Sequence, residues 1–193
     1  ARTTESQTHR EMASGLSFPV GFKNGTDGNL HIAIDAMGAA RHPHNFLGIN
    51  NEGRSAIVQT TGNPDLHIVL RGGSDRPNYF PEDILATEEM LAKSDLNPSI
   101  MVDCSHANCS KDPALQPLVL DNLVNQITEG NRSLVGMMVE SNIGWGNQKL
   151  TNDVTALEYG VSITDPCIDW DTTERAVVDM DERIRDVLAQ RAS

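Results

Sequence analysis

Short apolar runs alternate along the chain with longer segments whose apolar residues recur at helical spacing. A first helix is predicted over Ser6 to Leu16, with Met12, Ala13 and Leu16 on one face, and "FPVGFK" (18–23) reads as a short strand ending on Lys23. Asp27 is placed to cap a second helix in which Leu30, Ala33, Ile34 and Met37 recur at helical intervals. "NFLGI" and "SAIVQTT" flank "NNEGR", the pattern of a β-hairpin with a glycine-containing turn. "LHIVLRGG" (66–73) is a buried strand that stops on Arg71 and two glycines. A helix at about 81–94, the strand "SIMVDCSH", the helix "ALQPLVLDNLVNQITEG" and the strand "SLVGMMVES" (133–141) follow. After a Gly/Asn-rich loop comes "YGVSITDPCIDW", and Thr172 to Ala189 is a closing amphipathic helix.

Strands separated by helices argue for parallel βαβ units and an α/β fold. Polar residues sit repeatedly at the C-terminal ends of the strands: Lys23, Arg71, His106, Glu140, and Asp165 after a shorter run. In barrels and open α/β sheets that edge is where active sites assemble. The strands are apolar throughout, as expected when both faces of a sheet are covered. No repeat, low-complexity tract or linker divides the chain, so residues 1–193 are expected to form one domain.

A chain of 193 residues can enclose a sizeable core. The 15 Lys+Arg against 27 Asp+Glu give a net charge of −12, which argues against a nucleic-acid or anionic-membrane surface. No apolar run approaches the roughly 18 residues that a membrane span needs. The three cysteines form no CxxC pair and are odd in number, which favours free thiols in a reducing compartment and a cytoplasmic location. The opening "ARTTESQTHREMASGL" carries no initiator Met and begins within a motif.

Two constellations carry the chemistry. His106, Glu140 and Asp165 offer an imidazole and two carboxylates, a donor set suited to a divalent Mn, Fe, Co or Zn ion. Singly, each has a structural reading: a hydrogen-bonded strand-end histidine, a cap or ion-pair glutamate, a turn aspartate before Pro166. Cys104 is a possible further donor, two residues before His106 and so on the same strand face; Cys104, Cys109 and Cys167 are all better explained as structural. Arg2, Lys23 and Arg71 form the second set. Three converging cations hold a phosphate and a carboxylate, Arg by bidentate bonds and Lys as a point charge. Taken singly, each is also a surface ion-pair residue.

The ordered segments "ARTTESQTHRE", "PVGFKNGTDG", "VLRGG", "MVDCSHAN", "VGMMVESN", "GNQ" and "YGVSITDPCIDW" resemble the metal-dependent type I 3-deoxy-D-arabino-heptulosonate 7-phosphate (DAHP) synthases. The resemblance implies a (β/α)8 TIM barrel. It also implies condensation of phosphoenolpyruvate with erythrose 4-phosphate and release of phosphate, the step that opens the shikimate pathway to chorismate and the aromatic amino acids. On this resemblance His106, Glu140 and Asp165 fall on metal ligands. Arg2, Lys23 and Arg71 fall on phosphoenolpyruvate contacts, with Ala1 the neighbouring backbone contact. Lys23 and His106 are the nearest candidates for proton handling.

The resemblance begins at the end of the family's fourth strand. The chain is therefore expected to hold strands 5–8 with their helices plus an inserted hairpin. The N-terminal half, with a cysteine ligand and the erythrose 4-phosphate loop, lies outside it, so this chain alone is expected to have little activity. The family is commonly inhibited by an aromatic amino acid, and Met12, Leu16, Ser17, Phe46, Gly48 and Val58 match that effector pocket. On this resemblance Gly48, where some relatives carry Ser, leaves room and points to tyrosine over phenylalanine; Phe46 and Val58 also read simply as the inward face of a hairpin. Relatives assemble as homodimers or homotetramers. Two other readings stand beside the synthase. One is a non-catalytic piece that keeps the effector pocket or an assembly surface; the other is a Schiff-base aldolase using Lys23.

Overall fold

A computed structural model describes residues 4–191. Four parallel strands form one sheet in the order β1-β4-β5-β6: β1 (Val20–Lys23), β4 (Leu66–Leu70), β5 (Ile100–Asp103) and β6 (Leu134–Met138). Between β1 and β4 the chain makes α2 (His31–Ala40) and an antiparallel hairpin, β2 (Asn45–Ile49) with β3 (Ser55–Gln59). The helices α3 (Pro81–Lys93) and α4 (Gln116–Thr128) complete the next two βαβ units, α1 (Gln7–Ser14) precedes the sheet, and α5 (Trp170–Arg191) closes it.

One face of the sheet makes the core. Phe22, Ile68, Leu70, Ile100, Val102 and Leu134 are buried against Ala33, Ile34 and Met37 of α2, Ile84 and Leu91 of α3, and Leu123 and Ile127 of α4. Full burial of a side chain of this size is worth roughly 1.5–3 kcal/mol relative to exposure. The helix α5 adds Ile184 and is tied to α4 by Arg183, whose guanidinium reaches Asp121 at 2.5 Å and Asn125 at 2.6 Å.

The other face departs from expectation. Apolar strands suggested cover on both sides, yet His67, Met101 and Met138 are only half-buried there. Val135 is an extra residue that β6 inserts opposite β5 and is 58% exposed. On this face, away from the helices, the strands carry Lys23, His67 and Asp103 among the apolar residues.

Three local expectations also shift. The helix α2 begins at His31 and not at a cap by Asp27; Asp27 Oδ1 accepts from the Asn29 N–H, and it is the Asn29 side-chain Oδ1 that accepts from His31 N–H at 2.9 Å. The strand "SIMVDCSH" ends at Asp103, because His106 adopts a left-handed backbone (φ 55°) that no strand continues through. Cys104 and His106 therefore do not share a strand face. "YGVSITDPCIDW" forms no extended strand; single bridges such as Ser141 with Ile168 and Gly146 with Cys167 hold it instead.

Candidate metal centre and anion site

The C-terminal ends of the strands deliver the site. Lys23 is the last residue of β1, Arg71 follows β4 directly, His106 lies three residues beyond β5, and Glu140 two beyond β6. Asp165 arrives on the loop before α5. Ala1 and Arg2 lie outside the described residues.

His106, Glu140 and Asp165 converge: one ligand-type atom of each lies within 4.8 Å of the others. His106 Nε2 is 3.6 Å from Asp165 Oδ2. Glu140 is placed by its backbone, which makes two hydrogen bonds to the buried side chain of Gln116 and accepts a third from Ile168 N–H at 3.0 Å. That last bond and the Cys167–Gly146 bridge also dock the loop carrying Asp165, whose side chain stays 56% exposed.

Beneath the histidine lies Asp103, a fully buried carboxylate that sequence reasoning passed over. Its Oδ2 is 2.5 Å from Lys23 Nζ and 2.9 Å from His106 Nδ1. The distance to Nδ1 is that of a hydrogen bond but its direction is not, so Nδ1 stands among the described residues as a buried nitrogen without an aligned partner. An acidic residue ending the apolar run "SIMVD" was the signal available for it.

The rim is knitted by three asparagines. Asn24 Oδ1 accepts from Arg71 N–H at 2.8 Å and its amide donates to the Gly72 carbonyl at 3.0 Å. Asn78 Oδ1 accepts from Gly72 N–H at 2.7 Å. Asn108 Nδ2 donates to the carbonyls of Leu70 and Asp103, at 3.1 and 2.8 Å. With the backbone bonds from Asn24 N–H to the Val69 carbonyl and from Ala107 N–H to the Arg71 carbonyl, at 3.1 and 3.2 Å, these bonds join the loops after β1, β4 and β5.

Arg71 faces elsewhere. With Arg76 and Lys111 it lines a cavity of about 480 Å³ whose glycine wall is Gly72 and Gly73. Lys23 and the three metal-type donors do not line it. Among the described residues no carboxylate pairs with the Arg71 guanidinium, whereas Arg76 is paired with Asp83. Arg71 and Lys23 thus flank the site without sharing one wall.

The thiols are poor ligands. Burial, and then the neighbouring Asp103 charge, push Cys104 up to about 12, and burial raises Cys109 and Cys167 as well. A metal needs the thiolate, so none of the three is prepared to serve. Of the effector-pocket residues, Phe46, Gly48 and Val58 share the half-buried face of the hairpin, with Phe46 and Val58 cross-strand partners. Met12, Leu16 and Ser17 are exposed at the end of α1, and Ser14 Oγ, 2.8 Å from Thr60 Oγ1, ties that end to the end of the hairpin.

The sequence model of the DAHP synthetase I family matches residues 1–178. The chain belongs to this family. It is 53% identical to the phospho-2-dehydro-3-deoxyheptonate aldolase named Tyr-sensitive of Escherichia coli (strain K12) over 193 residues, 100% of this chain and 54% of that protein. It is 49% identical to the phenylalanine-inhibited enzyme of Saccharomyces cerevisiae over 96% of this chain and 52% of the relative. The phospho-2-dehydro-3-deoxyheptonate aldolase structure from Francisella tularensis SCHU S4 superposes with a TM-score of 0.88 at 42% identity, over 96% of this chain and 53% of that one. The chain spans about half the length of these relatives. The expected α/β architecture, a parallel sheet corresponding to part of the family's barrel with an inserted hairpin, is the one observed. No helix among the described residues is long and apolar enough to cross a membrane.

Proposed function

We propose that this chain carries the metal-binding and phosphoenolpyruvate-binding side of a DAHP synthase, the enzyme that condenses phosphoenolpyruvate with erythrose 4-phosphate and releases phosphate. The observation that carries this is the convergence of His106, Glu140 and Asp165 on one point beside the Asp103–Lys23 ion pair. One imidazole and two carboxylates fit Mn, Fe, Co or Zn, and the unaligned His106 Nδ1 fits a ring that is set in place when its Nε2 is engaged. A divalent ion held there supplies Lewis-acid polarisation of an aldehyde oxygen. Lys23, anchored on a buried carboxylate, presents a positive charge to an anionic substrate; Arg71, from the neighbouring cavity that it lines with Arg76 and Lys111, and Arg2 are the guanidinium donors proposed for its phosphate or carboxylate. Ala1 supplies a backbone contact. Much of the acceleration then comes from orientation and fixed charge, with Lys23 and His106 the groups closest to any proton transferred.

Turnover needs a completed barrel. The described sheet has four strands with open edges at β1 and β6, and eight are needed to close. Activity is expected when this chain is mixed with the N-terminal half of a relative and Mn²⁺. EDTA should abolish it. Metal-independent condensation, or borohydride trapping of a keto acid on Lys23, would sink the assignment in favour of a Schiff-base aldolase. The pairing of Lys23 with Asp103 already occupies the amine that such an enzyme needs free.

Feedback control by an aromatic amino acid, tyrosine rather than phenylalanine, is proposed for the pocket of Met12, Leu16, Ser17, Phe46, Gly48 and Val58. Its support is the common face of the three hairpin residues and the Ser14–Thr60 tie that brings the end of α1 to the hairpin. A β-carbon at Gly48 would lie 2.6 Å from Val58 Cγ2, so a side chain there narrows this face. In the completed enzyme, Gly48→Ser should change the inhibitor preference; an unchanged preference would remove Gly48 from the pocket.

A further inference from the structure

The oxygen Asp103 Oδ2 is shared. It contacts Lys23 Nζ at 2.5 Å on one side and His106 Nδ1 at 2.9 Å on the other, while Oδ1 accepts from Ser105 N–H at 3.0 Å. The carboxylate is wholly buried, the lysine and histidine side chains are 13% and 10% exposed, and no water is needed to connect them. The left-handed backbone at His106 is what folds its ring back over the residue three positions earlier.

We propose that Asp103 is a positioning residue that couples metal binding to anion binding in this site. The proposal rests on the metal-centre assignment of His106, Glu140 and Asp165. A neutral imidazole carries one N–H and one lone pair. A carboxylate oxygen 2.9 Å from Nδ1 favours the proton there even out of line for a hydrogen bond, because two acceptors at that distance repel. Nε2, the nitrogen on the Asp165 side, is then left with its lone pair outward for a metal. The same oxygen fixes the direction in which Lys23 holds its charge. Any ligand that draws Lys23 away leaves more of the Asp103 charge to His106. Anion and metal therefore strengthen one another, reciprocally, as binding linkage requires.

The test uses the full 193-residue chain, with ¹⁵N NMR of His106 before metal is added and calorimetric titration of Mn²⁺ with and without phosphoenolpyruvate. The expected results are an Nδ1–H tautomer in the wild-type chain and phosphoenolpyruvate-enhanced Mn²⁺ binding. In Asp103→Asn the tautomer is mixed, Mn²⁺ binding is 10- to 100-fold weaker, and the enhancement is lost. Lys23→Met retains both Asp103 and His106 and, in the folded variant, should tighten Mn²⁺ severalfold, so it tests the coupling independently of the asparagine variant. An Nε2–H tautomer in the wild-type chain overturns the positioning role without reference to any metal. Normal Mn²⁺ binding in a folded Asp103→Asn chain, or an unchanged affinity in Lys23→Met, overturns the coupling while the metal centre stands. Failure of the wild-type chain to bind Mn²⁺ overturns a centre formed by His106, Glu140 and Asp165 without a further ligand, and the coupling in this chain falls with it.

Discussion

Both hydrogen bonds of the Gln116 side chain go to the backbone of a single residue, Glu140: Nε2 donates to its carbonyl at 3.1 Å and Oε1 accepts from its N–H at 2.9 Å. Gln116 is the first residue of α4 and is fully buried, so a helix start sets the place of a strand-end carboxylate. Gln116→Leu fills the space but leaves the Glu140 N–H unpaired, at a cost of about 1–3 kcal/mol. A lowered melting temperature and weaker Mn²⁺ binding by the folded variant are expected. An unchanged Mn²⁺ affinity would mean that Glu140 is held by the Ile168 bond alone.

Gly72 allows two loops to touch. Its φ is +78°, and a β-carbon there would sit 2.7 Å from both the Ala107 carbonyl carbon and the Asn108 nitrogen. The obstacle is backbone, which cannot rotate away. Gly72→Ala must strain residue 72 and push back the segment that carries His106, at roughly 1–3 kcal/mol for the strained backbone alone. Thermal melting and Mn²⁺ titration should both register the change. A variant that melts and binds like the parent would show that this contact is not needed to place His106.

The places of Lys23, Arg71, His106 and Glu140 were legible because each is a polar residue closing an apolar run, and parallel strands bring such ends to one edge; Asp165 reaches that edge on a loop held by single bridges. Asp103 was missed because it counts as the last strand residue, and only the left-handed turn at His106 shows that the strand stops there. Gln116 and the asparagines at 24, 78 and 108 were illegible for a different reason: their work is to bond backbone atoms of distant loops, which leaves no spacing in the sequence. Arg71 shows a different limit. Its place after β4 was read correctly, but the direction of a long side chain is set by its neighbours, and it opens on the cavity beside Lys111. The half-exposed sheet face is what half a barrel is expected to leave open, since four strands cannot close a barrel of eight.

The thiols should be inert in the native chain. The Cys104 pKa of about 12 comes chiefly from burial, so the neutral form is favoured in the fold. The unfolded thiol titrates near 8.5. Between these values the unfolded state loses a proton that the folded state keeps, so stability is fully present below about pH 8.5 and falls as pH rises toward 12. Slow labelling by a disulfide reagent at pH 8, and rapid reaction of all three cysteines in denaturant, is the expected pattern. Replacing Cys104 with Ala should reduce the alkaline loss of stability relative to pH 7. An unaltered alkaline slope would assign that loss to another group.

His67 makes the opposite demand at low pH. It lies on the sheet face away from the helices, where its Nε2 comes within 2.5 Å of the position a β-carbon on Gly21 would take, and burial lowers its pKa below 6.5. The neutral ring is favoured in the fold, while the unfolded ring charges near 6.5. The stabilising contribution is therefore present above about pH 6.5 and lost as pH falls through the lower folded-state value. Urea unfolding at pH 7 and pH 5 should show a smaller acid loss for His67→Gln than for the parent chain. Equal losses would place the acid sensitivity elsewhere. Because Gly21 leaves no room between this ring and β1, Gly21→Ala should destabilise the parent chain and do so less in the His67→Ala background, a coupling that a double-mutant cycle reads directly.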